Sequence, residues 1–302
     1  MDRKTYDVIV VGAGPGGIPA AIAASRMGMS VLLADRNAQL GGLLVSGLPL
    51  LAFLDRSGNQ VIGGIAQEIV DRLHEVGGVN DHIRSPILNS MTHVNPAWMR
   101  IVISEMCREC KNMDILLYAE LANVALDNGR VTGVDLFCRG DMLHYDGKIV
   151  IDATCDACVV YKSGARYEKG EHLQPMSLTF DLIDIDYDKV FEFLETHPEE
   201  VTLPETFKDI KHDLNFLRDN SCSSFMGFMH MVKEGKREGT FTLDRNMIDF
   251  CRQIDGNAFI NTTRVVNADS TDAMSIINAE FEGLEQIKEL TSFMKKHIPG
   301  FE

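Results

Sequence analysis

Basic residues are scarce in this sequence. Its 302 residues include 29 lysines and arginines against 44 aspartates and glutamates, which gives a formal net charge of −15 at pH 7. Such acidity repels the phosphates of nucleic acids and the headgroups of anionic membranes, so neither is expected as a partner. The expected partner is a small-molecule substrate, and the simplest interpretation of the excess acid is solubility.

Long apolar runs are also absent. No stretch approaches the roughly twenty apolar residues that a membrane-spanning helix requires. Residues 1–6 are polar and do not have the layout of a secretory signal. The seven cysteines are few for this length and odd in number, which argues against a disulfide framework. We therefore expect a reduced, cytoplasmic setting.

Several catalytic motifs are missing. The sequence has no His-x-x-x-His pair, no Gly-x-Ser-x-Gly elbow and no GxxxxGK[ST] loop, so hydrolase chemistry and phosphoryl transfer have no support. Two Cys-x-x-Cys pairs, Cys107 with Cys110 and Cys155 with Cys158, are separated by 44 residues. That spacing does not fit a zinc ribbon, and no metal site is predicted. A redox disulfide between Cys155 and Cys158 stays open as an alternative.

The chain is organised around its N-terminal segment. An apolar, β-branched run predicts a strand at 6–11, an alanine-rich run predicts a helix at 18–27, and a second strand at 31–34 ends on Asp35. The first strand and the helix are joined by Gly12-Ala13-Gly14-Pro15-Gly16-Gly17. Strand, glycine turn, helix, strand and acid in this order form the dinucleotide-binding fingerprint.

Each position of the fingerprint has a physical reason. Gly12 allows the tight turn, Gly14 lets a pyrophosphate approach the backbone, and Gly17 lets the helix lie close to the strand. The N–H groups and the positive dipole at the helix N-terminus face the phosphates. Asp35 can accept hydrogen bonds from ribose hydroxyls. The structural alternative is a glycine-rich turn beside an empty crevice.

Hydrophobic periodicity predicts the elements that follow. Helices are expected near 62–76, 96–111, 187–196, 223–236 and 272–293. Strands are expected near 114–118, 121–126, 131–137, 142–145, 148–151 and 178–183. Asp127-Asn128-Gly129 is a strong hairpin sequence, so the strands between 121 and 145 should form a small meander.

The residues after Asp35 bring a specific resemblance. Asp35-Arg36 is followed by Leu40-Gly41-Gly42 and then by Ser46-Gly47. This run resembles the FAD-dependent oxidoreductases of the glutathione-reductase-like group, and the resemblance implies FAD as the cofactor. It also implies which positions would wrap the pyrophosphate and ribityl part of FAD, namely Gly41, Gly42, Ser46 and Gly47. Without the resemblance, the segment is an ordinary glycine loop.

The resemblance implies roles for later positions as well. A β-meander is an expected insertion in this group, and Leu121 matches the position that contacts the adenine. Asp152-Ala153-Thr154-Cys155-Asp156 resembles the family's Asp-Ala-Thr-Gly-Asp, where a strand returns to the FAD crevice. Ala153, Thr154 and Asp156 are therefore expected cofactor contacts. Cys155 departs from the pattern, because a side chain in place of glycine would crowd the cofactor.

The predicted fold class is α/β. A Rossmann-like FAD-binding domain, with a parallel sheet and a β-meander, is expected at 1–165 and 259–302. An α+β substrate or cap domain is expected to be inserted at 166–258. Asn261-Thr262-Thr263-Arg264-Val265 resembles the family's Asn-x-x-Arg-Val, at the return from the inserted domain.

Two residues are candidates for acting on the substrate. Arg264 could hold a carboxylate or stabilise developing negative charge beside the flavin, with a salt bridge at the domain joint as the structural alternative. His230 is a weaker candidate, since a buried histidine with satisfied hydrogen bonds is the simpler interpretation.

These patterns predict an FAD-dependent oxidoreductase that transfers a hydride between bound flavin and a small organic substrate. Members of the family usually continue past a segment like Pro299-Gly300-Phe301. One alternative is therefore a truncated or half-flavoprotein that needs a second chain to complete the flavin pocket. A further alternative is a dehydrogenase with NAD in the same crevice, against which the Gly41-Gly42 pair argues.

Overall fold

The computed structural model describes residues 4–86, 88–203, 209, 211, 213–220 and 222–302. In chain order the strands are β1 (Thr5–Val11), β2 (Val31–Ala34), β3 (Leu50–Leu51), β4 (Ile83–Ser85), β5 (Asn89–Thr92), β6 (Met113–Leu116), β7 (Ala119–Asp127), β8 (Arg130–Cys138), β9 (Asp141–Asp152), β10 (Phe180–Leu182), β11 (Ser224–Gly227), β12 (Ile248–Arg252) and β13 (Ala258–Ile260). The helices are α1 (Gly17–Arg26), α2 (Ile65–Glu75), α3 (Pro96–Glu109), α4 (Cys158–Ser163), α5 (Tyr187–Thr196), α6 (Leu214–Asp219), α7 (Met229–Glu238) and α8 (Ala273–His297). Within these described ranges, no helix is both long and apolar enough to span a membrane.

The chain forms two compact units. Unit one comprises Met1–Leu48, Ile62–Gly78 and Pro96–Lys169, and unit two comprises Pro49–Val61, Val79–Asn95 and Gly170–Glu302. This grouping differs from the predicted domains, because residues 259–302 belong to unit two. The physical reason is the core of unit two, where Leu290, Phe293 and Met294 of α8 are buried in one cluster with Phe250 of β12.

Unit one is built on a six-stranded sheet with the strand order β6-β2-β1-β9-β8-β7. β1 is parallel to both of its neighbours, β2 and β9, and β2 is parallel to β6. Ile9 and Val10 are fully buried, as expected for a central strand whose faces are both covered. α1 packs against β1 and β2, so the α/β, Rossmann-like fold predicted from the sequence is confirmed.

The meander in unit one differs from the prediction in one respect. The sequence predicted separate strands at 142–145 and 148–151, but β9 is a single strand of 12 residues. It is antiparallel to β8 in its first half and parallel to β1 in its second half. Gly147 lies inside this strand and does not interrupt it. A Cβ at this position would lie 2.7 Å from Cδ1 of Ile9. The glycine therefore makes room for a core side chain rather than a turn.

Unit two contains a four-stranded antiparallel sheet with the order β10-β13-β12-β11, and a three-stranded sheet with the order β3-β5-β4. Its core is rich in phenylalanine, and the rings of Phe225 and Phe250 stack with centroids 4.8 Å apart. Side chains of α5, α7 and α8 complete this core.

The helix predicted at 223–236 was wrong in its first half. Residues of this segment form β11, and the chain turns at Phe228, where φ is +60°, before α7 begins. Both oxygens of the buried Glu200 carboxylate accept hydrogen bonds from the first turn of α7, from His230 N and Met231 N. Pairing of β11 with β12 and this carboxylate cap are both non-local, so the local pattern did not reveal the break.

Candidate functional site

The glycine loop after β1 is packed too closely for side chains at two positions. Gly12 has φ +103°, and a Cβ there would lie 2.1 Å from the carbonyl oxygen of Ala153. A Cβ at Gly17 would lie 1.8 Å from the carbonyl oxygen of Gly12. Real Cβ atoms do not approach backbone oxygens so closely, so both glycines are required by the fold itself.

Gly14 and Gly16 differ from these two positions. A Cβ built on either one meets no heavy atom within 4 Å. Both residues border a cavity and lie beside the N-terminus of α1, where N–H groups have no partner within the helix. The open space at these two positions is therefore on the ligand side of the loop, and it fits a diphosphate approaching the backbone.

The Asp35 carboxylate holds the loop in place. Its Oδ2 accepts a hydrogen bond of 2.6 Å from Ala13 N, and its Oδ1 accepts one of 2.7 Å from Asn37 N. The side chain is buried, with 7% of the residue exposed. Because each carboxylate oxygen has two lone pairs, Asp35 can still accept a hydrogen bond from a ligand hydroxyl.

The second glycine pair lies against the first loop. Gly41 has φ +122°, and its N–H donates a hydrogen bond of 2.9 Å to the carbonyl oxygen of Ala13. A Cβ on Gly42 would lie 3.1 Å from the Cα of Gly14. The two glycine-rich segments are therefore in direct backbone contact, and the absence of side chains at both makes this approach possible.

The end of β9 forms the third wall. Ala153 N donates a hydrogen bond of 2.8 Å to the carbonyl oxygen of Val11, which aligns the ends of β9 and β1. Asp152 Oδ1 accepts from both Thr154 N at 3.0 Å and Thr154 Oγ1 at 2.7 Å, and Asp152 Oδ2 accepts from Val160 N at 2.9 Å. One carboxylate thus holds the turn between β9 and α4.

These segments enclose a cavity of about 650 Å³ at the carboxyl ends of β1, β2 and β9. This is where open α/β sheets bind ligands. The predicted site residues that line it are Gly12, Gly14, Pro15, Gly16, Asp35, Arg36, Gly42, Leu121, Ala153 and Thr154. The fold thus brings predicted residues from four separate segments of the chain to one cavity.

Other predicted site residues lie next to the cavity without lining it. Gly17 and Gly41 pack against the backbone and side chains of unit one. Ser46 Oγ donates a hydrogen bond of 2.8 Å to the carbonyl oxygen of Leu43, and Gly47 follows it with φ +92°. Asp156 Oδ2 lies 4.0 Å from a terminal nitrogen of Arg36, and this pair connects the second glycine segment with the β9–α4 turn.

Several residues that line the cavity were not predicted from the sequence, among them Asn37, Glu120 and Asp152. A signal was present for Asp152, because an acid directly after a buried strand of a parallel sheet lies at the ligand-binding edge. No local signal distinguished Glu120, which reaches the cavity only because β7 begins beside the end of β2 in unit one.

The cysteines of the second Cys-x-x-Cys pair both line the cavity. Cys155 is exposed and has φ +72°, a conformation that favours glycine, and Cys158 is the first residue of α4. Neither Cys155 nor Cys158 is in a disulfide. Across the described residues, no three His, Cys, Asp or Glu side chains are clustered as a metal site.

The two candidates for substrate contact belong to unit two. Arg264 follows β13 and lines two cavities of that unit. His230 is in the first turn of α7 and is exposed, so it is not the buried, satisfied histidine that was the simpler expectation. Neither residue is among those that line the cavity of unit one.

The sequence as a whole matches one family. The family model described as FAD dependent oxidoreductase matches residues 7–302. This chain belongs to that family. Family membership confirms FAD as the cofactor, and it agrees with the glycine-lined cavity at the carboxyl edge of the parallel sheet.

Individual relatives match more narrowly. The tRNA uridine 5-carboxymethylaminomethyl modification enzyme MnmG of Streptococcus gordonii is 32% identical over 168 residues, which is 50% of this chain and 24% of MnmG. Two solved structures resemble the fold over 99% of this chain. They are a geranylgeranyl bacteriochlorophyll reductase-like protein from Thermoplasma acidophilum (TM-score 0.59, 16% identity, 63% of that chain) and the p-nitrophenol 4-monooxygenase PnpA from Pseudomonas putida (TM-score 0.52, 11% identity, 64% of that chain). The chain thus spans less than two thirds of each of these relatives.

Proposed function

We propose that this chain is an FAD-dependent oxidoreductase that transfers a hydride between flavin and a small organic substrate. The observation that carries the proposal is the cavity of unit one, where an added Cβ at Gly14 or Gly16 would meet open space while one at Gly12 or Gly17 would strike backbone. A loop that is closed on the protein side and open on the cavity side suits a bound diphosphate.

Each predicted cofactor-binding residue would contact a particular part of the FAD molecule. The pyrophosphate would lie against the first glycine loop, the ribose hydroxyls against Asp35, and the adenine against Leu121. The residues that complete the pyrophosphate and ribityl contacts would be Pro15, Arg36, Gly41, Gly42, Ser46, Gly47, Ala153, Thr154 and Asp156. FAD supplies the hydride chemistry when it is bound, and the protein binds the substrate, orients it and excludes water.

Arg264 is the residue that we propose for substrate contact. Its guanidinium has five donors in a planar fork, which can hold a carboxylate or stabilise negative charge that develops on an oxygen. A small molecule is the proposed substrate rather than a nucleic acid, because the net charge of −15 opposes binding to a phosphate backbone.

An absorbance spectrum of the purified chain tests the proposal. Bound oxidised flavin gives absorbance bands at about 370 and 450 nm. Nucleotide released by acid should then co-migrate with FAD. Release of NAD instead would overturn the assignment in favour of a nicotinamide dehydrogenase. A colourless protein that binds flavin only with a second chain would favour the half-flavoprotein.

A matched pair of variants locates the flavin. In Gly14→Val the two methyl groups would enter the open space beside the loop, so the ratio of flavin to protein should fall at least about tenfold while the fold is retained. Gly63→Val is the control, because Gly63 also has open space around it and does not line the cavity. Full flavin occupancy in Gly14→Val would refute the placement.

A further inference from the structure

A cavity of about 430 Å³ in unit two is lined by two arginines. Arg245 comes from the loop before β12, and Arg264 follows β13. The cavity also contains Asp249 of β12 and the exposed Asp244, and the thioethers of Met226 and Met247 form apolar walls. Two guanidinium groups at one small, partly apolar cavity are typical of a site for an organic anion.

Arg245 is held in place without losing its charge. Its Nε donates a hydrogen bond of 2.8 Å to the carbonyl oxygen of Thr262, and its Nη2 donates one of 3.1 Å to the carbonyl oxygen of Asn261. Both acceptors are neutral, so these two hydrogen bonds orient the guanidinium without neutralising its positive charge. A guanidinium fixed in this way is pre-organised for an anion.

Arg264 is held through its backbone. The side-chain amide of Gln286 on α8 accepts from Arg264 N at 2.6 Å and donates to Arg264 O at 3.0 Å. Oδ2 of Asp244 lies 4.0 Å from Arg264 Nε, and the Asp244 side chain is 79% exposed. A surface ion pair of this kind contributes little to the free energy of folding. Among the described residues, the buried Nε of Arg264 has no hydrogen-bond partner.

Asp249 is fixed at the same cavity. Thr262 Oγ1 accepts a hydrogen bond from Asp249 N and donates one to Asp249 O, both at 2.8 Å. Burial raises the pKa of the Asp249 carboxyl to about 6, and the charge of Arg245 opposes this shift. The other charged or titratable groups near Asp249 are Arg264, Asp244 and the buried thiol of Cys251.

We infer that this cavity binds a small organic carboxylate between Arg245 and Arg264, and that Asp249 takes up one proton when the anion binds. Calling this anion the substrate rests on the proposed function, but the binding itself does not. The charges account for the coupling. With Asp249 ionised, two arginines balance two aspartates, so an added monoanion leaves one excess negative charge. Protonation of Asp249 removes that excess.

The chemistry of the cavity favours a carboxylate over a phosphate dianion. A planar guanidinium matches a planar carboxylate in a bidentate geometry. With Asp249 protonated, the cavity carries a single net positive charge, which balances a monoanion and not a dianion. The methionine walls suit a short carbon skeleton attached to the acid group.

Calorimetry on the flavin-loaded protein tests this inference with propionate as the probe and propionamide as its neutral analogue. Propionate should bind and propionamide should not. Above pH of about 6, the affinity for propionate should fall roughly tenfold per pH unit. In the same pH range, titrations in buffers of different ionisation enthalpy should show that the protein takes up about one proton for each propionate bound. Equal binding of both probes, or tighter binding of inorganic phosphate, would overturn the inference.

Three variants assign the residues. Arg264→Gln should weaken propionate binding by at least about tenfold, and Arg237→Gln, on the exposed surface of α7, is the matched control that should bind as wild type. Asp249→Asn should bind propionate without proton uptake and with little dependence on pH. Proton uptake that persists in Asp249→Asn would refute the role of Asp249. The flavin bands, recorded on every sample, separate failure of this site from failure of the proposed function.

Discussion

Ala13 N donates a hydrogen bond of 2.6 Å to Oδ2 of Asp35. The bond connects the glycine loop after β1 to the residue that ends β2, across 22 positions of the chain. The acid of the fingerprint therefore has a structural task before any ligand arrives, because it fixes the loop on which the diphosphate would lie. Under the proposed function, loop order and ribose recognition would depend on the same carboxylate.

Replacing Asp35 should therefore affect stability as well as cofactor binding. Asp35→Ala leaves the N–H groups of Ala13 and Asn37 without their acceptor, which should cost about 2 kcal/mol of unfolding free energy. It should also lower flavin occupancy. Urea denaturation of the flavin-free protein measures the first effect. Unchanged stability together with lost flavin would show that the carboxylate serves the ligand alone.

Gly17→Ala should destabilise the protein strongly, because its Cβ would be placed 1.8 Å from the carbonyl oxygen of Gly12. We expect a loss of about 3 kcal/mol or more in the flavin-free protein. Gly16→Ala is the control, since its Cβ meets nothing within 4 Å and its φ of −87° suits any residue. Equal stability of the two variants, measured by thermal unfolding, would contradict the close packing of α1 on β1.

Replacing Cys155 by glycine should stabilise the protein. Its φ of +72° imposes a cost on any residue with a Cβ, so Cys155→Gly should raise the unfolding free energy by about 1 kcal/mol. Cys155→Ala keeps the Cβ and removes the sulfur, so it should show no such gain. If alanine stabilised as much as glycine, the sulfur rather than the backbone would be the source of the strain.

Asp249 should make stability depend on pH. Its folded pKa of about 6 lies above the ordinary value of 3.8, so its contribution is complete below pH of about 4 and is lost as the pH rises through 6. The difference amounts to at most about 3 kcal/mol. Asp249→Asn should lack this fall in unfolding free energy between pH 4 and 7. A variant that parallels wild type across this range would show that Asp249 titrates normally.

His93 should have the opposite dependence. The ring is fully buried, neither ring nitrogen has a hydrogen-bond partner among the described residues, and burial lowers its pKa to about 4. Its contribution is complete above pH of about 6.5 and is lost as the pH falls toward 4. His93→Leu should remove two unpaired polar atoms, and its unfolding free energy should no longer fall as the pH decreases. Equilibrium unfolding between pH 4 and 7 measures this free energy for the variant and the wild type. Greater acid sensitivity in the variant would contradict a neutral, unpaired ring.

The sequence predicted best where local pattern and backbone chemistry agree. The bounds of β1, α1 and β2 follow from two apolar runs around a glycine turn, and α5 was predicted at its observed residues. The cavity was predictable because parallel strands bring their carboxyl ends together. Each of these inferences needs only the chain's immediate neighbourhood and one rule of sheet topology.

The remaining features depend on partners distant in sequence. From the sequence, Gly147 is expected to end a strand. In the structure it lies within β9, where the absence of a Cβ leaves room for the side chain of Ile9. The apolar stripe of α8 was visible, but the sequence did not show that Phe293 packs in a core with Phe250. Arg264 was predicted from the resemblance to the family's Asn-x-x-Arg-Val. Arg245 was not predicted, because it is oriented by the backbone carbonyl groups of Asn261 and Thr262, which leave no pattern in the sequence.

The continuity of β9 has a mechanical consequence. A single uninterrupted strand belongs to two ladders, antiparallel on one side and parallel on the other. Detaching the hairpin of β7 and β8 removes support from the strand that aligns Ala153 with Val11. Backbone amides of both ladders should therefore exchange with deuterated solvent in one concerted opening. The hairpin is coupled in this way to the cavity of unit one.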